Sequence, residues 1–392
     1  MTRTGTIFFA ALVSLQAQTP QPMPGDSCGT PVLLAAGEKP QQAMFAHGQY
    51  PISLPAFSAT GVRNDLPNLY RDSVEFGQLP VGRQWGSSAS VTAAPDGTIW
   101  VIDRCGSGAV GGSACDGAGA AVNPIFQFDK SGTLLKNICA GLFVAPHKLT
   151  LDTAGNLWVA DNGGNQVFKL NQEGKVLLTL GKRGPGGSGT DQFDGPTEVT
   201  VAANGDFFVA DGHDGGGTAE HNARILKFDH NGKFLKTWGR KGMAPGEFEV
   251  PHSIALDSRG RLFVADRQNS RIQIFDAEGN FIAQWLQFGR PSGIYIDRRT
   301  DTMYVSDSES RDGRTNTGKN ALAPTGYGFN AGVRRGIRIG SARDGSVTGF
   351  IPDPCPYPYA FFSTMGEGVT ADADGNVYDA EISRRIRKFV RK

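Results

Sequence analysis

Three residues at the same place in alternate copies of an internal repeat carry side chains able to ligate a metal: His147, His252 and Glu367. Each copy contains a turn, then an apolar run closed by an acid. The six are DGTIWVID (96–103), AGNLWVAD (154–161), NGDFFVAD (204–211), RGRLFVAD (259–266), DTMYVSD (301–307) and DGNVYDAE (374–381). Eight residues before the turn position stand Ala89, His147, Thr197, His252, Ser292 and Glu367. Copies two, four and six offer imidazole or carboxylate, and the others offer small side chains. If six copies close into a ring, alternate copies lie about 120° apart, and three donors converge on the axis. Two His and one Glu with an open position form a catalytic metal set that suits zinc, and iron or manganese where the geometry is octahedral.

The elements that must position these donors are strands. Each apolar run is followed by a segment of alternating polarity: PIFQFDKSG, NQVFKLNQEG, ARILKFDHNG and SRIQIFDAEG, with GIRIGSARDG and RRIRKF as shortened versions. Period-two alternation is the mark of a half-buried strand, and the Asx-x-Gly endings are hairpin turns. A further strand follows in LLKNICAGL, VLLTLGKRG, FLKTWGRKG and FIAQWLQFG. Each unit is a four-stranded antiparallel meander, which buries its two faces only by stacking on neighbours. The expected fold is therefore all-β: a six-bladed propeller over 67–392. The chain ends after the third strand of the last blade, so its outer strand is expected from the N-terminal side, at 70–77. Such closure removes exposed edges.

Composition agrees with a turn-rich β fold. The 392 residues include 53 Gly and 22 Pro while 39% are apolar, which argues against disorder. A net charge of +1 gives no reason to expect nucleic acid or an anionic membrane as partner. Residues 1–18, with Arg3, an apolar stretch at 6–15 and a small residue at Ala17, read as a secretory signal peptide. The Pro-, Gln- and Gly-rich segment 19–66 reads as an extended wrapper. No later segment has the apolar length of a membrane span. Extracytoplasmic placement permits disulfides among Cys28, Cys105, Cys115, Cys139 and Cys355, with Cys105–Cys115 flanking a Gly-rich loop. The odd count leaves at least one free thiol or an intermolecular bridge.

Antiparallel topology puts the start of each first strand and the end of each second strand on one face of the ring. Arg104 and His213 follow the acids Asp103 and Asp211, so they join the three donors there. The long loops 104–123, 212–222 and 308–335 gather on this face, where function and contact with a protein partner are expected. The last holds Arg311, Arg314, Lys319, Tyr327, Arg334 and Arg335, a solvated loop or a lid for an anionic substrate. The acids Asp161, Asp211, Asp266 and Asp307 read as turn and inter-blade hydrogen-bond residues.

PHKLTLDTAGNLWVADNGGNQVFKL (146–170) and VPHSIALDSRGRLFVADRQNSRIQIF (250–275) resemble NHL-repeat propellers, and more narrowly peptidyl-α-hydroxyglycine α-amidating lyase. The resemblance runs from about Trp85 to Phe389. It implies a six-bladed propeller with zinc held in the channel by three histidines, two matched by His147 and His252. Glu367 stands where the third histidine would be, and Met365 matches a methionine beside the metal. Arg104 matches a functionally required arginine, and His213 falls where the family has a required tyrosine. The family's structural calcium uses an acid at the position of Gly368, so this calcium is not expected here. The family's disulfide pattern is not reproduced.

Three functions follow from this. One is a metal-dependent lyase on a carbinolamide such as a peptidyl-α-hydroxyglycine, with His213 as general base and Arg104 stabilising negative charge. The second is a metal-dependent lactone or ester hydrolase on the same propeller. The third is a non-catalytic platform that binds protein or glycan. The first two take a small-molecule or peptide substrate.

Overall fold

The computed structural model describes residues 61–106, 114–213, 221–310, 330, 332–354, 365–382 and 385–392, with no account of the Ala89 side chain. It is a six-bladed propeller of four-stranded antiparallel sheets. The expected signal peptide, most of the wrapper, Cys28, Cys355 and the central part of the 308–335 loop lie outside the described residues. Among the described residues the non-strand element is a single turn of 3-10 helix, Gly117–Gly119, and no helix is long and apolar enough to cross a membrane.

The inner strands are Ser88–Ala93, Pro146–Leu151, Pro196–Val201, Pro251–Leu256, Gly293–Asp297 and Gly368–Ala371. The second strands end in the repeated acids: Ile99–Asp103, Leu157–Asp161, Phe207–Asp211, Leu262–Asp266, Thr302–Asp307 and Val377–Glu381. The last blade takes its outer strand from Val74–Glu75, which pairs antiparallel with Arg385–Phe389, and a bridge from Tyr70 to Arg391 extends the closure. The N-terminal pairing is thus shorter than the 70–77 expected from the sequence. Only two residues there sit in regular ladder geometry.

Apolar side chains on the inner three strands fill six clusters, each spanning one pair of neighbouring blades. Trp158 and Val167 of blade two pack with Phe207, Val209 and Leu226 of blade three. Tyr378 and Ile386 of blade six pack with Phe76, Val91 and Phe126 around the closure. No blade owns a core. Burial of apolar area therefore favours the closed ring as a whole, because opening it would expose two cluster halves at once.

The strand-closing acids fix the segments that lead into the inner strands. Asp161 accepts from the backbone N–H of Val144 and Ala145, Asp211 from Asp194, Asp266 from Glu249 and Asp307 from Arg290. Asp103 accepts from Gly86 in the same way and also pairs with Arg83. Each acid thus clamps the inter-blade linker two or three residues before the ring position. Blade six differs: Gly366 donates to Asp379, while the strand-closing Glu381 is taken by Arg387 and Arg385.

Candidate metal centre

The ring position is a β-bulge in blades one to four. Register shifts between Pro146 and Lys148 and between Pro251 and Ser253 leave His147 and His252 as the extra residues. A bulged residue escapes the alternation of its strand, which re-aims its side chain. That is why histidines at the first turn of two strands can both point along the channel. Both are fully buried.

His147 Nδ1 lies 2.9 Å from the Thr197 carbonyl oxygen, and His252 Nδ1 lies 2.6 Å from that of Ser292. A carbonyl only accepts, so each Nδ1 carries a proton, and a neutral ring then keeps its lone pair on Nε2. Neither Nε2 has a hydrogen-bond partner. Both instead face the Glu367 carboxylate, His147 at 3.6 Å from Oε2 and His252 at 3.5 Å from Oε1. Burial, then the neighbouring His252 and His213, hold His147 well below the ordinary imidazole range. Burial and the Arg267 guanidinium push His252 down to about 4. Burial alone would raise the Glu367 carboxyl, but the positive field around it, to which Arg267 contributes at 3.0 Å, outweighs burial and holds it well below the usual range. Two neutral lone pairs and an ionised carboxylate pointed at one another repel unless a cation lies between them. Ligands about 2.1 Å from a tetrahedral ion stand about 3.4 Å apart, close to the observed separations. The residues fit a divalent ion.

His213 joins this group: one donor atom from each of His147, His213, His252 and Glu367 lies within 4.8 Å of the others. Arg104 is buried and donates from Nε to the Pro146 carbonyl at 3.3 Å. Burial lowers its pKa and the Glu367 charge raises it, which places the guanidinium within electrostatic reach of the centre. The next residue is tied down by the Cys105–Cys115 disulfide, the pair expected from the sequence, while Cys139 is a free thiol. Met365 is buried in the cluster between blades five and six. His221, on the same loop as His213, stands apart, 3.9 Å from Glu249.

Three buried residues of this region went unread in the sequence. Arg267 donates from Nη1 to Glu367 Oε1 at 3.0 Å. It occupies the repeat position of Arg104, directly after the strand-closing acid, so the signal was present. Lys148 reaches across the channel to the backbone carbonyl of Glu367. Glu198 accepts from Ser253 Oγ at 2.5 Å and from the Ile254 N–H at 2.9 Å. Below them the channel opens into a cavity of about 300 Å³ lined in part by Lys148, Glu198, Thr92, Thr200 and Ile254.

The NHL repeat family pattern matches residues 248–275, the segment that contains His252. The chain is a six-bladed propeller that carries an NHL repeat in its fourth blade. Its sequence is 39% identical over 156 residues to peptidyl-alpha-hydroxyglycine alpha-amidating lyase 2 of Drosophila melanogaster, covering 38% of this chain and 36% of that protein. It is 43% identical over 170 residues to peptidyl-glycine alpha-amidating monooxygenase A of Xenopus laevis, covering 41% of this chain and 17% of that one. The matched part is thus less than half the length of either relative. A gluconolactonase from Xanthomonas campestris superposes with a TM-score of 0.51 over 86% of this chain and 91% of its own. At 13% identity that likeness is one of fold. The propeller is related in sequence to proteins of peptidylglycine amidation.

Proposed function

We propose that this protein is a metal-dependent lyase that cleaves the C–N bond of a carbinolamide of the peptidyl-α-hydroxyglycine class, giving the amide and glyoxylate. The observation that carries the reading is the pair of buried Nε2 atoms, on His147 and His252, both without a hydrogen-bond partner and 3.6 and 3.5 Å from one carboxylate. The relatives' names supply the substrate class. When bound, the divalent ion supplies Lewis-acid polarisation of the substrate hydroxyl and lowers its pKa.

The rest is done by the chain. The carbonyls of Thr197 and Ser292 fix the tautomers and ring planes of His147 and His252. Glu367 lowers the net charge of the centre by one relative to a third imidazole, which calls for a stronger proton acceptor nearby. His213 accepts the hydroxyl proton as the carbon–nitrogen bond breaks. The electron pair of that bond leaves with nitrogen, and His213 passes the proton to it. The former carbinol carbon becomes the aldehyde of glyoxylate, so no other reactant is needed. Arg104 and Arg267 meet the substrate carboxylate with buried positive charge.

We place this chemistry outside the cytoplasm. The apolar stretch at 6–15 and the Cys105–Cys115 disulfide support that placement. Recovery of the protein in the cytoplasmic fraction with an intact mass that begins at Met1 would count against it.

The deciding experiment supplies an N-acyl-α-hydroxyglycine to protein loaded with zinc, iron(II) or manganese(II), with a lactone panel beside it. Equimolar amide and glyoxylate are expected, lost on chelation and restored by metal. Lactone turnover without glyoxylate would replace this reading with hydrolysis.

A further inference from the structure

We infer that His213 is a fourth side-chain ligand of the ion in the resting protein, closing a set of three imidazoles and one carboxylate with His147, His252 and Glu367. The inference rests on the metal reading above and assigns His213 a place that the repeat pattern did not give it.

The arrangement of the blades makes room for it. In blades two and four the ring position holds a histidine. In blade three it holds Thr197, whose hydroxyl is turned away to the carbonyls of Pro251 and Ala210. The space that a ring-position histidine would fill is taken instead by His213, from the loop after the second strand of the same blade. Its ring sits 5.0 Å from that of His147 and 5.2 Å from that of His252, centroid to centroid. Its Nδ1 is buried and has no hydrogen-bond partner. Two ligand atoms on opposite sides of an ion stand about 4.2 Å apart at most for bonds near 2.1 Å, so four atoms within 4.8 Å need only a small contraction to bind together.

Nor is this a loop histidine that merely passes by. The His213 N–H donates to the Gly195 carbonyl at 2.8 Å. Gly195 has φ +76°, and a Cβ there would strike the His213 backbone; Gly212 has φ +141°, and a Cβ there would strike the Asn222 backbone. Two close backbone approaches that only glycine permits therefore set the depth of this side chain.

A tetrahedral ion with four side-chain ligands has no position left for substrate. The two roles of His213 must then alternate. Its lone pair belongs to the ion at rest. When substrate enters, His213 gives up its place, and the freed lone pair takes the hydroxyl proton. A closed resting site also keeps adventitious anions off the ion between turnovers.

Cobalt(II) titration of the metal-stripped protein, followed by absorbance and by chelator competition, tests this on wild type, His213→Ala, His213→Gln and His147→Ala. His213→Ala is expected to weaken the ion by about 100-fold or more, beyond what an outer hydrogen-bond partner costs. Its cobalt bands should change, and added imidazole should restore both affinity and bands. His213→Gln, which keeps most of the bulk, serves if thermal melting shows the alanine variant to be misfolded, and it should lose affinity likewise. Unchanged affinity and bands in both His213 variants, with the ion lost from His147→Ala, would overturn the fourth ligand and leave the metal site standing. Failure of the wild type to bind cobalt, zinc or iron would remove the metal reading and this inference together.

Discussion

Two layers of buried charge lie one residue apart along the same inner strands, and they are satisfied in opposite ways. The upper layer is the ring position, with His147, His252 and Glu367. The lower is the next residue, with Lys148 and Glu198. In the lower layer each group finds a partner inside the protein: Lys148 bonds the Glu367 carbonyl, Glu198 takes Ser253 and the Ile254 N–H, and the two, on neighbouring blades, are within reach of each other's opposite charge. In the upper layer the imidazole lone pairs find none. Buried polar groups cost free energy unless paired, and unpaired ones in a native fold call for a missing partner. The lower layer holds the ring together, whereas the upper layer is kept incomplete for something that arrives.

Breaking the upper layer should have the largest effect on chemistry. His252→Ala removes a donor whose orientation the Ser292 carbonyl fixes. Bound metal and glyoxylate release should both fall to background in elemental analysis and turnover assays, while the melting temperature of the metal-free protein stays near wild type. A variant that keeps stoichiometric metal would show that the two layers do not differ as described.

Breaking the lower layer should cost stability first. Lys148→Met leaves the Glu198 carboxylate buried without its opposing charge and frees the Glu367 carbonyl. Destabilisation by about 1–3 kcal/mol is expected, because the buried Glu367 carbonyl is left without its donor and Glu198 without a nearby opposite charge. Chemical denaturation measures it. The double variant Lys148→Met, Glu198→Gln should recover most of that loss. Metal affinity should recover less, since nothing then ties the strand that carries Glu367 across the channel.

Between the layers and the loops sits Arg267. Its guanidinium bonds Glu367, so Arg267→Ala tests whether that charge serves the substrate or only the carboxylate. A charge-assisted hydrogen bond lost in the bound state should lower kcat/KM by about 10- to 100-fold. A rise in KM would assign it to substrate. A loss of metal affinity with KM unchanged would assign it to Glu367.

The ring, its blade count and the three ring-position donors were legible because they repeat: the same turn, apolar run and acid recur, and departures such as Glu367 stand out against them. Arg267 was equally legible at the position of Arg104 and was passed over because no motif drew attention to it. The lower layer was not legible. Lys148 and Glu198 occupy strand positions that alternate like any half-exposed strand, and only ring closure makes them interior. The bulges were not legible either, since a one-residue register shift leaves no mark in polarity. The use of Asp379 in place of Glu381 as the clamp of blade six depends on Arg387 and Arg385 taking the latter, a choice made by packing.

The smallest effect distinguishes the layers by pH. In the metal-free protein His252 is pushed down to about 4 from an ordinary 6.5. Between those values the unfolded chain holds a proton that the folded one does not, so stability falls as pH drops through that window. Asp211 and Asp266, each raised by burial to about 6 from 3.8, act in the opposite sense over much of the same range, because there the folded chain holds the extra protons. The raw stability curve of the apo-protein mixes the two. The difference between wild type and His252→Gln does not, since the aspartates are common to both. That difference should fall in the sense of one proton taken up on unfolding between about pH 6.5 and 4. A flat difference would mean that His252 is already charged in the fold, held by Glu367 as an ordinary ion pair, and the upper layer would then be as self-satisfied as the lower.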